Sequence, residues 1–416
     1  MNIERIELIE SLRGKGLFCD ADINFARFIC REAGPSAGYE LYLAAALVSN
    51  AIICRKHICL DTTMLSGDLN SWFSELADAG QEPEKIRGSL SRLPVPENWL
   101  EKLSGCSQVA GTPGQFKPLV IKDKLIYLYR TWQCEQQLAS MIKSRLGVDP
   151  GFNAASVAGR ISAISDRFFA GDLSERNIDW QQVAVFAALH NKFAIITGGP
   201  GTGKTTVAAA LVALLFERDL SLRIALCAPT GKAQARLQES LRIETEILHC
   251  GEVVVERTRA VPVSTIHRLL GARRDSENFK YNRQNPLALD VLIIDEASMI
   301  SQSLMTGLLE ALPPRAKVVL LGDMDQLASV ESGMVLRDLC LASGVNHFSS
   351  EFIRDFNTAV NGVMDELPAL ESLLPLADCT VELQISRRFD SDKGIGLAAG
   401  AVKALPGRPD SGLPPG

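Results

Sequence analysis

A glycine-rich run that carries a lysine and hydroxyl side chains is the clearest chemical signal in the chain. The run fits the pattern G-x-x-x-x-G-K-[ST], and its residues are Gly198, Gly199, Pro200, Gly201, Thr202, Gly203, Lys204, Thr205 and Thr206. Glycines let backbone N–H groups turn toward phosphate oxygens. We expect Lys204 to reach the β- and γ-phosphates of ATP and the Thr205 hydroxyl to join a Mg²⁺ shell. The run therefore predicts a P-loop that uses ATP and magnesium.

Two acidic residues follow an apolar run further along the chain. Asp295 and Glu296 come directly after Val291–Ile294, which predicts a buried strand. Ligands bind at the carboxyl ends of strands in doubly wound sheets, so both carboxylates would face a bound nucleotide. We expect Asp295 to hold the Mg²⁺ and Glu296 to polarise the attacking water as general base. Two acids alone often mark only a strand end, but the upstream P-loop favours the catalytic interpretation.

A third polar segment follows another apolar run, Lys317–Leu321. Its sequence is Gly-Asp-Met-Asp-Gln, and it ends at Gln326. We expect Gln326 to lie beside Asp295 and to sense the γ-phosphate. The alternative is a polar turn without a catalytic role.

The elements that must position these residues begin near residue 179. Short β-type runs alternate with helical patterns there, at Phe193–Thr197, Arg223–Ala228, Val291–Ile294 and Lys317–Leu321. Such alternation predicts an α/β fold, a parallel sheet with helices on both faces. The P-loop follows the first of these strands and precedes an Ala/Leu-rich helix, which is the setting that the motif needs.

The first part of the chain has a different pattern. Apolar residues recur at helical spacing up to about residue 108, and residues 119–128 form two β-rich runs around a polar turn. The runs predict a hairpin. Helical patterning returns from about residue 130. We interpret this part as a mainly helical domain that docks onto something.

Composition excludes few classes of protein. The net charge of −6 argues against a uniformly basic surface, but a local basic groove remains compatible with it. The ten cysteines include no Cys-x-x-Cys pair; Cys54, His57 and Cys59 come nearest to a metal pattern. We interpret the cysteines as reduced thiols of a cytoplasmic protein. No secretory signal or membrane-length apolar stretch is visible.

The P-loop, the Asp-Glu pair and the Gly-Asp-x-x-Gln segment, in this order, resemble a superfamily 1 helicase. A narrower set resembles the RecD family, the α subunits of exodeoxyribonuclease V (RecBCD). The segments that carry the resemblance are Gly198–Thr206, Ala228–Leu237, Thr265–Gly271, Asp295–Ile300, Gly322–Gly333 and Arg388–Gly396. The resemblance implies a RecA-like P-loop NTPase core behind a helical N-terminal domain.

The resemblance also implies roles for single residues. Gln181 would contact the adenine, and Arg388 would contact the γ-phosphate from a second RecA-like core. The candidate DNA contacts are Thr230, Lys232, Arg236, Thr265 and His267. Taken alone, His267 could be a satisfied histidine at a strand–helix junction. Lys232 and Arg236 could lie on a solvated helix face.

The implied activity is that of an ATP-dependent 5′→3′ DNA helicase, acting on single-stranded DNA at duplex ends in double-strand break repair and homologous recombination. RecB-like and RecC-like subunits would complete a heterotrimer, with no membrane involved. The exonuclease chemistry would belong to the RecB-like subunit, because the chain has no further acidic cluster.

The expected division of the chain has five parts. They are a helical N-terminal domain that docks on a RecC-like subunit (1–130), a helical linker (131–178), the first RecA-like core (179–340), an irregular connection (341–380) and the start of an incomplete second core (381–416). Later motifs of the family are absent, so we expect a C-terminally truncated chain, either a fragment or a natural short form. The alternative function is a motor-inactive assembly module that binds a RecC-like partner.

Overall fold

The computed structural model describes residues 3–65, 67–79, 83–95, 98–164, 178–273, 279–326, 332–360, 374 and 376–384. The chain divides into two compact units. The first unit consists of Met1–Ser140, Ser301–Thr306 and Ala328–Met334. The second unit consists of Met141–Ile300, Gly307–Leu327 and Val335–Gly416.

Helices dominate the N-terminal part of the chain, as its apolar spacing predicts. They are α1 (Ile3–Leu12), α2 (Asp20–Ala33), α3 (Tyr39–Ile53), α4 (Asn70–Ala79), α5 (Pro83–Ser91), α6 (Trp99–Ser104) and α7 (Tyr129–Lys143). Helix α1 buries Ile6, Ile9 and Leu12, which recur every three residues and so share one face. Helix α3 is apolar almost all round and lies in the middle of the unit's core.

A four-stranded sheet completes the first unit. Its strands are β1 (Cys59–Asp61), β2 (Ala110–Gly111), β3 (Leu119–Lys122) and β4 (Leu125–Leu128), in the order β1-β4-β3-β2. The predicted hairpin over 119–128 is confirmed, because β3 and β4 pair antiparallel with Lys122 opposite Leu125. The two-residue turn requires Asp123 to adopt a φ of 53°, a conformation that Asp tolerates better than most residues.

The second unit is built on a six-stranded sheet, in which every pair of neighbouring strands is parallel. The strands are β5 (Phe193–Gly198), β6 (Ile224–Ala228), β7 (Val263–Thr265), β8 (Val291–Ile294), β9 (Lys317–Gly322) and β10 (Thr380–Leu383), in the order β10-β5-β9-β8-β6-β7. Strands β5, β6, β8 and β9 are buried along their whole length, as expected for continuous apolar runs in a parallel sheet. The predicted α/β class is confirmed.

Nine helices of the described ranges follow α7. They are α8 (Arg160–Ala163), α9 (Trp180–His190), α10 (Lys204–Arg218), α11 (Gly231–Glu246), α12 (Glu252–Arg259), α13 (Ile266–Leu269), α14 (Gln302–Glu310), α15 (Val335–Ser343) and α16 (Ser350–Val360). Helices α9 and α10 are buried nearly all round and supply much of the unit's core. In the same described ranges, no helix combines the length and apolar character that crossing a membrane requires.

The sequence predicts that a second core begins at residue 381, and this is wrong for the strand at that position. Strand β10 pairs with β5, so Thr380 lies opposite Ile195 and Leu383 lies opposite Gly198. Residues 380–383 therefore belong to the sheet that carries the P-loop. Apolar spacing predicts a strand but not the sheet that it joins, because a long-range pairing leaves no local signal.

The region 341–380 is also more regular than expected. It contains α16, whose buried residues Phe352, Phe356 and Ala359 recur at helical spacing. The ring of Phe186 in α9 lies 4.9 Å from that of Phe352 and 5.2 Å from that of Phe356. This helix therefore covers the aromatic part of the core. The helical spacing of its buried residues is the sequence pattern that predicts it.

Candidate functional site

The P-loop connects the end of β5 to the start of α10. Gly203 has a φ of 92° and immediately precedes α10, which begins at Lys204. A Cβ on Gly203 would collide with the side-chain amide of Gln181. Only glycine therefore satisfies both the left-handed backbone and the close packing at this position. Thr205 is half-buried and Thr206 buried in the first turn of α10.

Lys204 turns back onto the loop that precedes it. Its ammonium group donates to the carbonyl oxygens of Gly198 at 2.5 Å and of Gly199 at 3.0 Å. Burial lowers the pKa of Lys204, while the negative charges of nearby acidic residues, led by Asp323, oppose this shift. The loop thus holds a partly desolvated cation whose partners are neutral carbonyls. Such a cation can exchange these partners for phosphate oxygens.

Asp295 lies at the carboxyl end of β8, where its backbone N–H donates to the carbonyl oxygen of Cys227 at 2.8 Å. Burial raises the pKa of Asp295 to about 6, and the neighbouring Glu296 charge adds to this effect. Lys204 and Arg236 act in the opposite direction without cancelling it. The ionised carboxylate is therefore short of positive charge. This deficit fits a Mg²⁺ ligand, because a divalent cation supplies the missing charge.

Glu296 has a strained backbone. Its φ of 52° and ψ of 41° lie in the left-handed region, which costs a residue other than glycine about 1–3 kcal/mol. The strain redirects the chain directly after β8, and the turn is closed by a bond from the Met299 N–H to the Glu296 carbonyl oxygen. Strained residues of this kind cluster at functional sites. The sequence assigned Glu296 a chemical role but gave no signal of its backbone conformation.

The segment after β9 is tied to the P-loop strand. The Thr197 hydroxyl oxygen accepts a bond from the Met324 N–H at 3.0 Å, and the Asp323 carbonyl oxygen accepts one from the Gln326 N–H at 3.2 Å. Asp323 is buried, and it is the largest of the negative charges acting on Lys204. It is thus a site residue to which the sequence reasoning gave no role. Its position as the aspartate of the Gly-Asp-x-x-Gln segment was the sequence feature that indicated a role.

Gly322 explains how the two acidic segments approach each other. A Cβ at this position would lie 3.2 Å from the backbone nitrogen of Ser298 and would overlap the side chain of Leu336. The turn after β8 therefore packs directly against the end of β9. Because β9 lies between β5 and β8, the sheet brings the ends of three neighbouring strands to one edge.

Gln181, the predicted adenine contact, lies at the start of α9 beside the P-loop. Its Nε2 donates to the Thr202 carbonyl oxygen at 2.7 Å, and its buried Oε1 has no hydrogen-bond partner among the residues that the structure describes. Asp179 caps the helix through the Gln181 and Gln182 N–H groups. The unpaired Oε1 is an acceptor that fits the exocyclic amine of an adenine.

Thr230 and Thr265, two predicted DNA contacts, occupy equivalent positions. The Thr230 hydroxyl oxygen caps α11 by accepting from the Ala233 N–H, and the Thr265 hydroxyl oxygen caps α13 by accepting from the Arg268 N–H. They follow neighbouring strands, because Ala228 of β6 pairs with Thr265 of β7. Both hydroxyl oxygens act as acceptors in capping their helices. Each hydroxyl keeps a proton that it can donate to a phosphate.

The other predicted DNA contacts, Lys232, Arg236 and His267, are exposed. The charge of Arg236 lowers the pKa of Asp295, so Arg236 lies near the acidic pair as well as on α11. The ring of His267 meets Phe279 edge-on at 6.0 Å. Exposure fits both a DNA contact and a solvated surface. Arg388 lies outside the described residues.

Comparisons with known proteins agree with this geometry. Residues 181–332 match the family model of an AAA domain, which implies nucleotide use, and this range contains the P-loop and both acidic segments. Residues 14–127 match the model described as "RecBCD enzyme subunit RecD, N-terminal domain".

Curated relatives extend these matches. The RecBCD enzyme subunit RecD of Haemophilus influenzae is 37% identical over 319 residues, which cover 75% of this chain and 48% of the relative. The same subunit of Mycolicibacterium smegmatis is 38% identical over 374 residues, or 88% of this chain and 59% of the relative. The ATP-dependent RecD2 DNA helicase of Deinococcus radiodurans is 36% identical over 219 residues, or 52% of this chain and 26% of the relative.

The chain thus spans about half the length of the first two relatives. The similarity itself runs through both units, from the N-terminal domain to the P-loop core. On this evidence the chain belongs to the RecD family.

Proposed function

We propose that the protein is the ATP-dependent helicase subunit of a RecBCD-type helicase–nuclease. It moves 5′→3′ on single-stranded DNA at duplex ends, in the cytoplasm, during double-strand break repair and homologous recombination. The observation that carries the proposal is the convergence of Lys204, Asp295 and Asp323 at the ends of three neighbouring strands. The RecD relatives support the choice of a DNA motor among the many ATPases with such a site.

The P-loop binds the nucleotide in this proposal. Lys204 exchanges the Gly198 and Gly199 carbonyl oxygens for phosphate oxygens, and the unpaired Gln181 Oε1 accepts a bond from the adenine. Thr205 and Asp295 hold the Mg²⁺. When bound, the ion neutralises charge on the phosphates.

Hydrolysis then depends on the side chains around the γ-phosphate. Glu296 accepts the proton of the attacking water, and Gln326 senses whether the γ-phosphate is present. Arg388 supplies positive charge to the transition state. Asp295 is half-buried and its carboxylate is strongly desolvated, which supports a site with little water, where such charges act strongly.

The DNA backbone lies along the N-termini of α11 and α13. Thr230 and Thr265 donate their hydroxyl protons to phosphates, and the dipole of the 16-residue helix α11 favours the negative charge. Lys232 and Arg236 neutralise neighbouring phosphates, while His267 stacks on a base or contacts the backbone. The charge of Arg236 also interacts with that of Asp295. Arg236 therefore couples the charge at the nucleotide site to a DNA contact.

The partners are a RecB-like and a RecC-like subunit. The first unit has its own core and sheet, which supports its use as a docking domain for the RecC-like subunit. The nuclease activity of the complex resides in the RecB-like subunit.

A paired substitution tests this function. Lys204→Gln removes the phosphate-binding cation, whereas Lys143→Gln removes an exposed cation at the end of α7. Each variant is co-expressed with a RecC-like subunit and with a RecB-like subunit whose ATPase is inactivated. The DNA-stimulated ATP hydrolysis of this complex then reports the site of the RecD-like subunit alone. We expect Lys204→Gln to lose at least about 100-fold in rate and Lys143→Gln to match the wild type. Equal rates in the two variants would refute the proposal.

The alternative, a motor-inactive assembly module, is favoured by the self-contained core of the first unit. It predicts that the chain co-purifies with a RecC-like subunit and that the complex shows no ATP hydrolysis sensitive to Lys204→Gln. The same pair of variants therefore separates the two functions.

A further inference from the structure

Three potential metal ligands meet at one end of the pair formed by α2 and α3, in the first unit. Cys19 immediately precedes α2, and Cys54 immediately follows α3. The Sγ atoms of Cys19 and Cys54 and a carboxylate oxygen of Asp22 all lie within 4.8 Å of one another. None of the three takes part in the proposed ATPase or DNA contacts.

Asp22 is the unusual member of this group, because its carboxylate is fully buried. Its partners are the Ser49 hydroxyl at 2.7 Å, the Asn50 amide at 3.0 Å and the Cys19 backbone N–H at 2.9 Å. Among the residues that the structure describes, no lysine or arginine forms an ion pair with it. Buried carboxylates are usually paired with a cation or bound to a metal ion. Asp22 thus has neutral hydrogen-bond donors and, within the described part of the chain, no cationic ion-pair partner.

The two thiols complete a cation-binding environment. The Cys54 thiol donates to the Asp22 carboxylate at 3.9 Å. Burial of this sulfur, with the negative charge of Asp22 next in effect, raises the pKa of Cys54 to about 12. A divalent cation at this point would offset the negative charge of Asp22. It would also favour the loss of both thiol protons, so that the sulfurs bind the ion as thiolates. The sulfur is only partly desolvated and Cys54 as a whole residue is exposed, so an ion can enter from solvent.

We propose that Cys19, Asp22 and Cys54 bind a thiophilic divalent cation, Zn²⁺ in the cell. Sulfur and carboxylate ligands suit this ion, and Zn–S bonds of about 2.3 Å place neighbouring ligands roughly 3.8 Å apart in a tetrahedron. The observed separations need to contract by only about 1 Å to reach that value. The fourth position takes a water molecule. Binding releases the two thiol protons to solvent.

The surrounding groups support this assignment. The Ser49 hydroxyl and the Asn50 amide hold the Asp22 carboxylate in a fixed orientation, as outer-shell partners do in established metal sites. The ligands belong to the ends of two helices that pack closely along their length, so the ion would tie these ends together. The sequence pattern groups Cys54 with His57 and Cys59 rather than with Cys19 and Asp22, because no spacing rule joins residues 19, 22 and 54.

Metal titration of the 416-residue chain tests the proposal. The protein is stripped with a chelator, kept reduced with a phosphine and titrated with Cd²⁺, whose thiolate bonds give an ultraviolet charge-transfer band. Zn²⁺ binding is then measured by competition with a chromogenic chelator. We expect the band to saturate at one Cd²⁺ per chain, and Zn²⁺ to raise the midpoint of thermal unfolding.

Conservative variants identify the ligands. Cys19→Ser retains an efficient N-cap for α2, and Cys54→Ser changes an exposed residue, so both should fold. Each should weaken Zn²⁺ binding by at least about 100-fold and abolish the thermal shift. Cys30→Ser, which removes a half-buried thiol elsewhere on α2, should change neither.

Two results would overturn the proposal. The first is an absence of the Cd²⁺ band in folded, reduced protein. The second is binding that survives in Cys19→Ser and Cys54→Ser, or that Cys30→Ser weakens equally, since both patterns indicate adventitious thiol binding only. The proposal is independent of the ATPase function, because none of these measurements involves nucleotide.

Discussion

Asp295 illustrates how a single site residue opposes stability. Its pKa rises from the ordinary value of 3.8 to about 6 in the folded protein. Between these two pH values the folded state binds more protons than the unfolded state, so stability falls as the pH rises from about 4 to 6. Above pH 6 the cost of the buried charge is fully present. The proposed Mg²⁺ ligand is therefore a carboxylate whose ionised form destabilises the folded state.

The variant Asp295→Asn should consequently be more stable than the wild type. At pH 7 we expect its free energy of unfolding to increase by about 1–2 kcal/mol, with the gain disappearing near pH 4, as urea denaturation would measure. Asp290→Asn is the matched control at the other end of β8. The pKa of Asp290 is lowered by its bond to Arg223, so this variant should lose stability or stay unchanged. A loss of stability in Asp295→Asn would contradict the account.

Glu296 permits a separation of binding from catalysis. Glu296→Gln keeps the size of the side chain but removes the base, so we expect ATP hydrolysis to fall by about 100-fold or more. The affinity for a fluorescent ATP analogue should stay within about 3-fold of the wild-type value, since Glu296 is assigned no part in nucleotide binding. Glu310→Gln, in α14, serves as control. Equal losses of binding and hydrolysis would remove Glu296 from the role of base.

The sequence predicted the types of residue at this site far better than their surroundings. Motif spacing predicted roles for Lys204, Asp295 and Gln326 from the side chains that phosphate and metal chemistry uses, and these roles stay predictions. It missed the role of Asp323 and the strained backbone of Glu296. Charge interactions and left-handed conformations arise from tertiary packing, which spacing along the chain does not encode.

At the scale of elements, β9 depends on a buried cation at its first residue. The Lys317 ammonium lies 3.1 Å from the Asp149 carboxylate and donates to the carbonyl oxygens of Ala188, Leu189 and Asn191. Burial lowers the pKa of Lys317 to about 8. Between pH 8 and 10.5 the unfolded state therefore binds more protons, and stability should rise with pH across this window.

Lys317→Met should destabilise the second unit and remove this rise. It leaves the Asp149 carboxylate without its cation, so we expect a loss of about 3 kcal/mol at pH 7 in denaturant unfolding. Lys192→Met, a half-buried lysine just before β5, is the control and should cost less than about 1 kcal/mol. A wild-type-like stability profile for Lys317→Met between pH 8 and 10.5 would show that the pair has no structural importance.

Elements were predictable where their pattern was local. The hairpin β3–β4 and the strands β5, β6, β8 and β9 follow from apolar runs and turn residues close in sequence. The partner of β10 did not follow, because its pairing with β5 joins residues far apart in the chain. Helix α16 is an exception among the missed elements, because Phe352, Phe356 and Ala359 recur at helical spacing and this local pattern was sufficient to predict it.

At the scale of the whole molecule, alternating strands and helices were sufficient to predict an α/β unit behind a helical one. They were not sufficient to predict that Ser301–Thr306 and Ala328–Met334 belong to the first unit. Inside that unit, the Gly333 N–H donates to the Lys56 carbonyl oxygen at 3.0 Å and the Ser332 hydroxyl donates to the Ile52 carbonyl oxygen at 2.7 Å. A division of the chain into consecutive ranges cannot represent short segments that belong to a unit distant in sequence.

ATP binding by the 416-residue chain tests the central claim most directly. Calorimetric titration with a non-hydrolysable ATP analogue and Mg²⁺ should show one site per chain. In Lys204→Gln, affinity should fall by at least about 10-fold, because the variant removes a charge-assisted contact to phosphate. Lys143→Gln should bind as the wild type does. Equal affinity of Lys204→Gln and the wild type, or no binding to the folded wild-type chain, would contradict a nucleotide site at the P-loop.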